Sequence, residues 1–124
     1  MSYPPHLTYS ETLQYLRIGR RGELVCEGTA APTCLIRVKD RMVLGEHGVI
    51  AANAPLDARS IRIEIAGHGP MAAFWGFRYA TIGANIYAPN GHILLGGAGR
   101  YEGAFIADSV EVLTRAHVVT ANAF

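Results

Sequence analysis

Four histidines, His47, His68, His92 and His117, recur at intervals of 21, 24 and 25 residues. Imidazole changes charge near neutral pH and binds transition metals through either ring nitrogen. In a chain folded into stacked repeats of about that length, neighbouring rings would meet at roughly the 4.8 Å strand spacing. That arrangement would be a metal-binding or pH-sensing ladder. The first two histidines share a glycine setting, Gly45-Glu46-His47-Gly48 and Gly67-His68-Gly69. Unequal intervals do not hold strict register, so four unrelated turn histidines is the competing reading.

Cys26 and Cys34 are the only cysteines, and Glu-Gly-Thr-Ala-Ala-Pro-Thr lies between them. Leu24-Val25 and Leu35-Ile36-Arg37-Val38 are β-like, and the intervening Gly and Pro form turns. Two strands joined by that turn bring the thiols within disulfide reach, which points to an oxidising compartment. Two buried thiols in a reducing compartment is the alternative. The spacing suits neither a CxxC redox motif nor a zinc site.

Phe74, Trp75, Phe77 and Tyr79 form the densest aromatic patch. Side chains alternate along a strand, so Trp75, Phe77 and Tyr79 share one face and Phe74 the other. The three-ring face has the larger apolar area and is expected in the core, with Trp75 buried. Exposed, the same three rings would be a contact surface for another subunit or a carbohydrate-like ligand.

Motifs for catalysis are missing. The chain has no G-x-S-x-G elbow, H-E-x-x-H pair or Walker loop. Gly97-Ala98-Gly99 precedes no helical pattern, so phosphate cradling is not expected. A hexapeptide acyltransferase would show a strict six-residue apolar period, which this chain lacks. Asp40, Asp57, Glu64, Asp108 and Glu111 fall in turns or on alternating strand positions and read as solvated faces. The expectation is a protein that is not an enzyme and uses no cofactor.

The element that must position these residues is a repeat. Ala84-Asn85-Ile86-Tyr87-Ala88-Pro89-Asn90, two spacer residues, then Ile93-Leu94-Leu95 form the first copy. Gly103-Ala104-Phe105-Ile106-Ala107-Asp108-Ser109, then Val110-Glu111-Val112, form the second, about 19 residues on. A period of that size marks stacked coils, and such a unit buries its apolar face only by stacking. Pro89, Asn90, Gly91 and Gly103 read as coil corners. Gly48-Val49-Ile50-Ala51-Ala52-Asn53 resembles a weaker, earlier copy of the first corner. Ser60 to Ile65 alternates as a half-buried strand.

Residues 1–23 read as an N-terminal extension or cap and residues 24–124 as a β-solenoid domain. Thr8-Tyr9-Ser10-Glu11 has the form of a capping box, so a short helix over residues 9–17 competes with a strand at 15–18. The fold class is therefore all-β, a single-domain parallel β-solenoid with an irregular, optionally short-helical N-terminal cap.

The 124 residues are half hydrophobic and suffice for one core. A net charge of +1 gives no reason to invoke nucleic acid. Ten of the eleven basic residues are Arg, a bias that fits genomic base composition. No apolar run suits a spanning helix, so membrane insertion is not expected. No signal peptide is visible, and a chain lacking a removed leader would read the same.

The string Ile86-Tyr87-Ala88-Pro89-Asn90-Gly91-His92-Ile93-Leu94-Leu95, Gly97-Ala98-Gly99 and Gly103 to Val112 resembles the C-terminal β-solenoid of bacterial surface proteins. These are the choice-of-anchor A domains and the C-terminal domains of type IV pilus accessory proteins. Asp108 and Ala84 depart from that pattern, where Lys and Gly are usual. The resemblance implies a right-handed coil, a surface or extracellular location, and a role in display, adhesion or assembly with protein partners. It carries over no catalytic residue. The alternative is a self-associating filament subunit joined through coil ends, similar in principle to bactofilin and compatible with a cytoplasmic location. The apolar C-terminal segment and the Pro4-Pro5 start bear on which end could associate.

Overall fold

The computed structural model describes residues 2–3, 8–26, 33–52, 58–68 and 71–119. They form fourteen β-strands and one turn of 3-10 helix, Ala58–Ser60. The strands are β1 (Ser2–Tyr3), β2 (Thr8–Leu13), β3 (Leu16–Ile18), β4 (Glu23–Cys26), β5 (Thr33–Val38), β6 (Met42–Leu44) and β7 (Val49–Ala52). After the 3-10 turn come β8 (Ile61–Ile65), β9 (Phe74–Gly76), β10 (Thr81–Gly83), β11 (Asn85–Leu95), β12 (Arg100–Glu102), β13 (Phe105–Val112) and β14 (His117–Val119). The chain is all-β, and every described strand pair is parallel.

The pairing has a simple order. One sheet runs β1-β4-β7-β10-β12-β14. The other runs β2-β5-β8-β11-β9-β6-β3, with β13 paired to β11. Its path starts and ends on consecutive strands, so the sheet wraps back on itself in a barrel-like way. β11 makes this wrap: Asn85 to Tyr87 pair with β8, and Ile93 to Leu95 pair with β9. Along the chain, strands visit three parallel ladders in rotation. The first is the six-stranded sheet, the second is β2-β5-β8 and the front of β11 and β13, and the third is β3-β6-β9 and their backs.

Alternation along each short strand puts one set of side chains inside. Leu24, Ile50, Ile82 and Tyr101 occupy matching positions of the first ladder, Ile36, Ile63 and Ile86 of the second, and Leu16, Met42, Phe74 and Ile93 of the third. All of them are buried. β-branched and long aliphatic chains dominate because they fit a pleated surface covered on its inner face. Asn85 is the one buried polar side chain among the described residues, and its Oδ1 accepts the Ala104 N–H at 2.8 Å.

The sequence repeat predicts the β11–β13 pairing closely. Ile86, Tyr87 and Ala88 face Phe105, Ile106 and Ala107, and Ile93, Leu94 and Leu95 face Val110, Glu111 and Val112. The register shifts between Ala88 and His92, which absorbs the two spacer residues. Pro89, Asn90 and Gly91 lie inside this bulged strand, where it passes between ladders, and not in a separate turn. A Cβ on Gly91 would stand 2.6 Å from that of Ala73. Gly103 sits at the passage from the first to the second ladder with φ +142°, and a Cβ there would overlap the Ala84 carbonyl.

Three expectations need correction. The helix alternative over residues 9–17 does not form: Thr8 to Leu13 pair with Thr33 to Val38, and Leu16 to Ile18 with Met42 to Leu44. Ladder hydrogen bonds and the Leu16/Ile18 alternation outweigh the local capping signal, so the ladders run on into the segment read as an irregular cap. The segment 48–53 does not repeat the 86–90 corner either. β7 pairs with β4 and β10 in the first ladder. Burial of Trp75 also fails. Phe74 lies opposite Met42 and Ile93 in the core column, which leaves Trp75 opposite Val43 and Leu94 outside.

Candidate binding surface

The outer column of the third ladder reads Arg17, Val43, Trp75, Leu94, Glu111. Val43 is the small member, with Arg17 on one side and Trp75 on the other. Trp75 is 42% exposed and Phe77 38%. Their ring centroids are 4.8 Å apart with planes tilted by 38°. At the position of Phe77 the corners before and after carry Gly19, Gly45 and Gly96 in ladder order, so this ring stands proud of its row. Tyr15, Arg41, Met71 and Ala72 close the other side. The result is a surface groove of about 640 Å³.

Charge in the groove is uneven. Arg17 and Arg41 both line it, and among the described residues neither forms an ion pair with a carboxylate. Arg41 instead donates to the sulfur of Met71, a fellow lining residue, at 3.0 Å. Asp40 is the acidic group at that end. His92 lines the far end. Its Nδ1 is 2.7 Å from Ser109 Oγ and its Nε2 is 3.5 Å from a Glu111 carboxylate oxygen. Serine, imidazole and carboxylate are the residue types of a nucleophilic relay. Here they stand on an open strand face, with the Glu111 side chain 57% exposed, where water screens the carboxylate. Ser109 escaped the sequence reading because the bulge in β11 sets it against His92 instead of Asn90.

Tyr79 leaves the other two rings. The chain turns after Gly76, and Tyr79 lies in the next corner, stacked on His47 at 5.0 Å. Beside that pair, Glu46 sits between Arg20 at 3.7 Å and Arg78 at 2.8 Å. The hydrogen bond from Arg78 holds the Glu46 carboxyl below the usual carboxylate range, and Arg78 is driven further into its charged form. A lowered carboxyl is the opposite of what a general acid needs. On the second ladder Glu64 meets Arg37 at 3.1 Å and Arg62 at 2.8 Å.

The histidine ladder does not form. His47 is in a corner between the third and first ladders, His92 on the third ladder, and His117 on the first opposite Arg100. His68 follows β8. Successive core positions of the first ladder are Leu24, Ile50, Ile82, Tyr101 and Val118, so circuits differ in length and equal spacing in sequence is lost in space. Among the described residues no cluster of three His, Cys, Asp or Glu side chains is placed to hold a metal ion.

Cys26 and Cys34 are joined in a disulfide with Cα atoms 6.1 Å apart. β4 and β5 belong to different sheets, so the bridge ties the first ladder to the second and is not a hairpin staple. Asp57, one of the acids weighed in the sequence, lies outside the described residues. No described helix is long and apolar enough to cross a membrane. No family model, curated protein or solved structure matches the chain.

Proposed function

We propose that the chain is a right-handed parallel β-solenoid that serves as a non-catalytic display or adhesion module of a bacterial surface or extracellular protein. The observation that carries the reading is the Trp75–Phe77 pair, held outward on a fixed ladder beside the Val43 depression. Aromatic rings fixed on a rigid scaffold lose little conformational freedom on binding, which is why such groups concentrate at contact surfaces. Rotation of the chain through three parallel ladders supports a solenoid, and the general preference for right-handed parallel crossovers supports its hand. The disulfide supports an oxidising compartment. The resemblance to choice-of-anchor A and pilus accessory domains belongs to the same proposal.

A second reading is end-on association as a filament subunit. Val110, Val112 and Val118 are 43%, 47% and 43% exposed, whereas their partners Ile93, Leu95 and Tyr101 are at most 1% exposed. Among the described residues nothing covers this end, which offers both apolar side chains and unpaired strand edges.

The test is cell-surface display of the full chain with adhesion scored on arrays of glycans and matrix proteins. The expected result is adhesion that is lost in Trp75→Ala and kept in Tyr79→Ala at equal display. Adhesion that ignores Trp75 while the chain forms filaments by electron microscopy would overturn the display reading in favour of the second.

A further inference from the structure

We infer that the Trp75 groove takes an acidic polysaccharide, with a pyranose ring on the exposed indole of Trp75 and its carboxylate at Arg17 and Arg41. The inference rests on the display reading and names the ligand class of that site. Three observations combine. The first is shape: the groove of about 640 Å³ lies along the outer column of the third ladder and has room for more than one sugar ring. The second is chemistry: Trp75 packs on Phe77 at 4.8 Å and 38° tilt, which holds in place an indole that is still 42% exposed, an apolar surface for the C–H face of a sugar ring. The third is charge. Arg17 and Arg41 flank Val43 without a carboxylate partner among the described residues, against Asp40 alone at that end. A guanidinium recognises a carboxylate by a forked pair of hydrogen bonds.

The column also orients the ligand. Arg17 stands at one end of the outer row and Glu111 at the other. A carboxylate is therefore drawn to the Arg17 end, while Ser109 and His92 offer hydrogen-bonding groups to sugar hydroxyls beyond Leu94. A basic or purely apolar peptide has no use for two guanidiniums that lack a carboxylate partner among the described residues.

Trp75 is the only tryptophan, so its fluorescence reports on the groove directly. The purified full chain is titrated with oligogalacturonate, with its methyl-esterified neutral form, and with polyglutamate, by Trp75 emission and calorimetry. The expected result is a blue shift of Trp75 with the acidic sugar and binding at least about tenfold weaker for the ester, as loss of a charge-assisted pair implies. Arg17→Gln and Arg41→Gln should lose about the same factor for the acidic sugar and nothing for the ester. Trp75→Ala should weaken both by calorimetry. Melting curves superposing on wild type show that the exposed-site variants fold. Equal affinity for acid and ester, binding of polyglutamate as tight as the sugar, or no binding of either sugar would each overturn the inference. If the sugars fail while surface adhesion still depends on Trp75, the ligand class alone is wrong and the display reading stands.

Discussion

His47 stacks on Tyr79 with ring centroids 5.0 Å apart and planes 14° from parallel, and both hold a positive φ, 59° and 62°. They are one position seen in two successive corners. Arg21, Ala98 and Arg115 are the same position in the others, at φ 59°, 56° and 66°. Each corner spans four residues, and in three of them the last N–H closes on the first carbonyl: Gly22 to Gly19, Gly48 to Gly45 and Ala116 to Leu113. A positive φ at the third residue is the signature of a type II turn, which usually places Gly there. Stacking overrides that preference. The N–H of Arg21, His47, Tyr79 and Ala98 each donates to the next corner's carbonyl, on Glu46, Arg78, Gly97 and Thr114.

Five non-Gly residues in the left-handed region therefore store strain, about 1 kcal/mol or more each. Ala98 is exposed and no ring stacks on it. Ala98→Gly should raise the melting temperature by several degrees, the shift about 1 kcal/mol gives a domain this size. Tyr79→Gly should gain less, because it also removes the His47 stack. A lower melting temperature for Ala98→Gly by calorimetry would contradict the corner geometry.

The legible part of this chain was the part where two circuits have nearly equal length. The 84–95 and 103–112 strings align because few residues separate equivalent positions, so β11–β13 pairing could be read from type alone. Earlier circuits are longer and unequal, from Leu24 to Ile50 and from Ile50 to Ile82, which conceals that β4, β7 and β10 are neighbours. The aromatic patch was misread for a different reason. Area argued for three rings inside, but register decides which face is inside, and register is set by Met42-Val43-Leu44 on the adjacent strand. The glycine-flanked histidine at His47 was visible, yet the signal it carried was a repeated corner, not a ligand.

Gly103 and Gly19 separate a strained corner from an open one. A Cβ at Gly103 would meet the Ala84 carbonyl at φ +142°, whereas nothing lies within 4 Å of one at Gly19. Gly103→Ala should cost several kcal/mol or block folding, and Gly19→Ala should change stability by less than about 1 kcal/mol. Equal denaturation midpoints for the two variants would remove this assignment.

The Cys26–Cys34 bridge closes a short loop of sequence separation 8, so its effect through the unfolded state is about 2 kcal/mol. Reductant should lower the melting temperature by several degrees, and thiol titration of oxidised protein should find almost none. Since both cysteines face the core, Cys26→Ala with Cys34→Ala should reproduce the reduced value to within the cost of two small cavities. Two free thiols in oxidised, folded protein would exclude the bridge.

Tyr101 gives the fold a basic limit. Its side chain is buried in the first ladder beside Ile82, the hydroxyl donates to the Gly96 carbonyl at 2.8 Å, and burial pushes its pKa up to about 12. Below the ordinary tyrosine value near 10 both folded and unfolded chains hold the proton, and stability is unaffected. Between about 10 and 12 the unfolded chain ionises first, so stability falls with rising pH by up to about 1.4 kcal/mol per unit. Tyr101→Phe should flatten that limb while losing the hydrogen bond, about 1 kcal/mol at neutral pH. A denaturation series from pH 8 to 12 with equal slopes for both proteins would show that another group sets the limit.

The end formed by β13 and β14, uncovered among the described residues, supplies the last prediction. Val112 and Val118 stand at core positions of the third and first ladders, matched to Leu95 and Tyr101, yet lie exposed. If end-on contact occurs, it must bury these two, and an ammonium group there would have to be desolvated at a cost of several kcal/mol. Among the described residues neither substitution disturbs a buried contact. Val112→Lys and Val118→Lys should therefore leave the monomer's melting curve close to wild type and abolish any concentration-dependent association seen by mass photometry. Association that survives both substitutions would place the contact elsewhere, with the Trp75 groove the next surface to mutate.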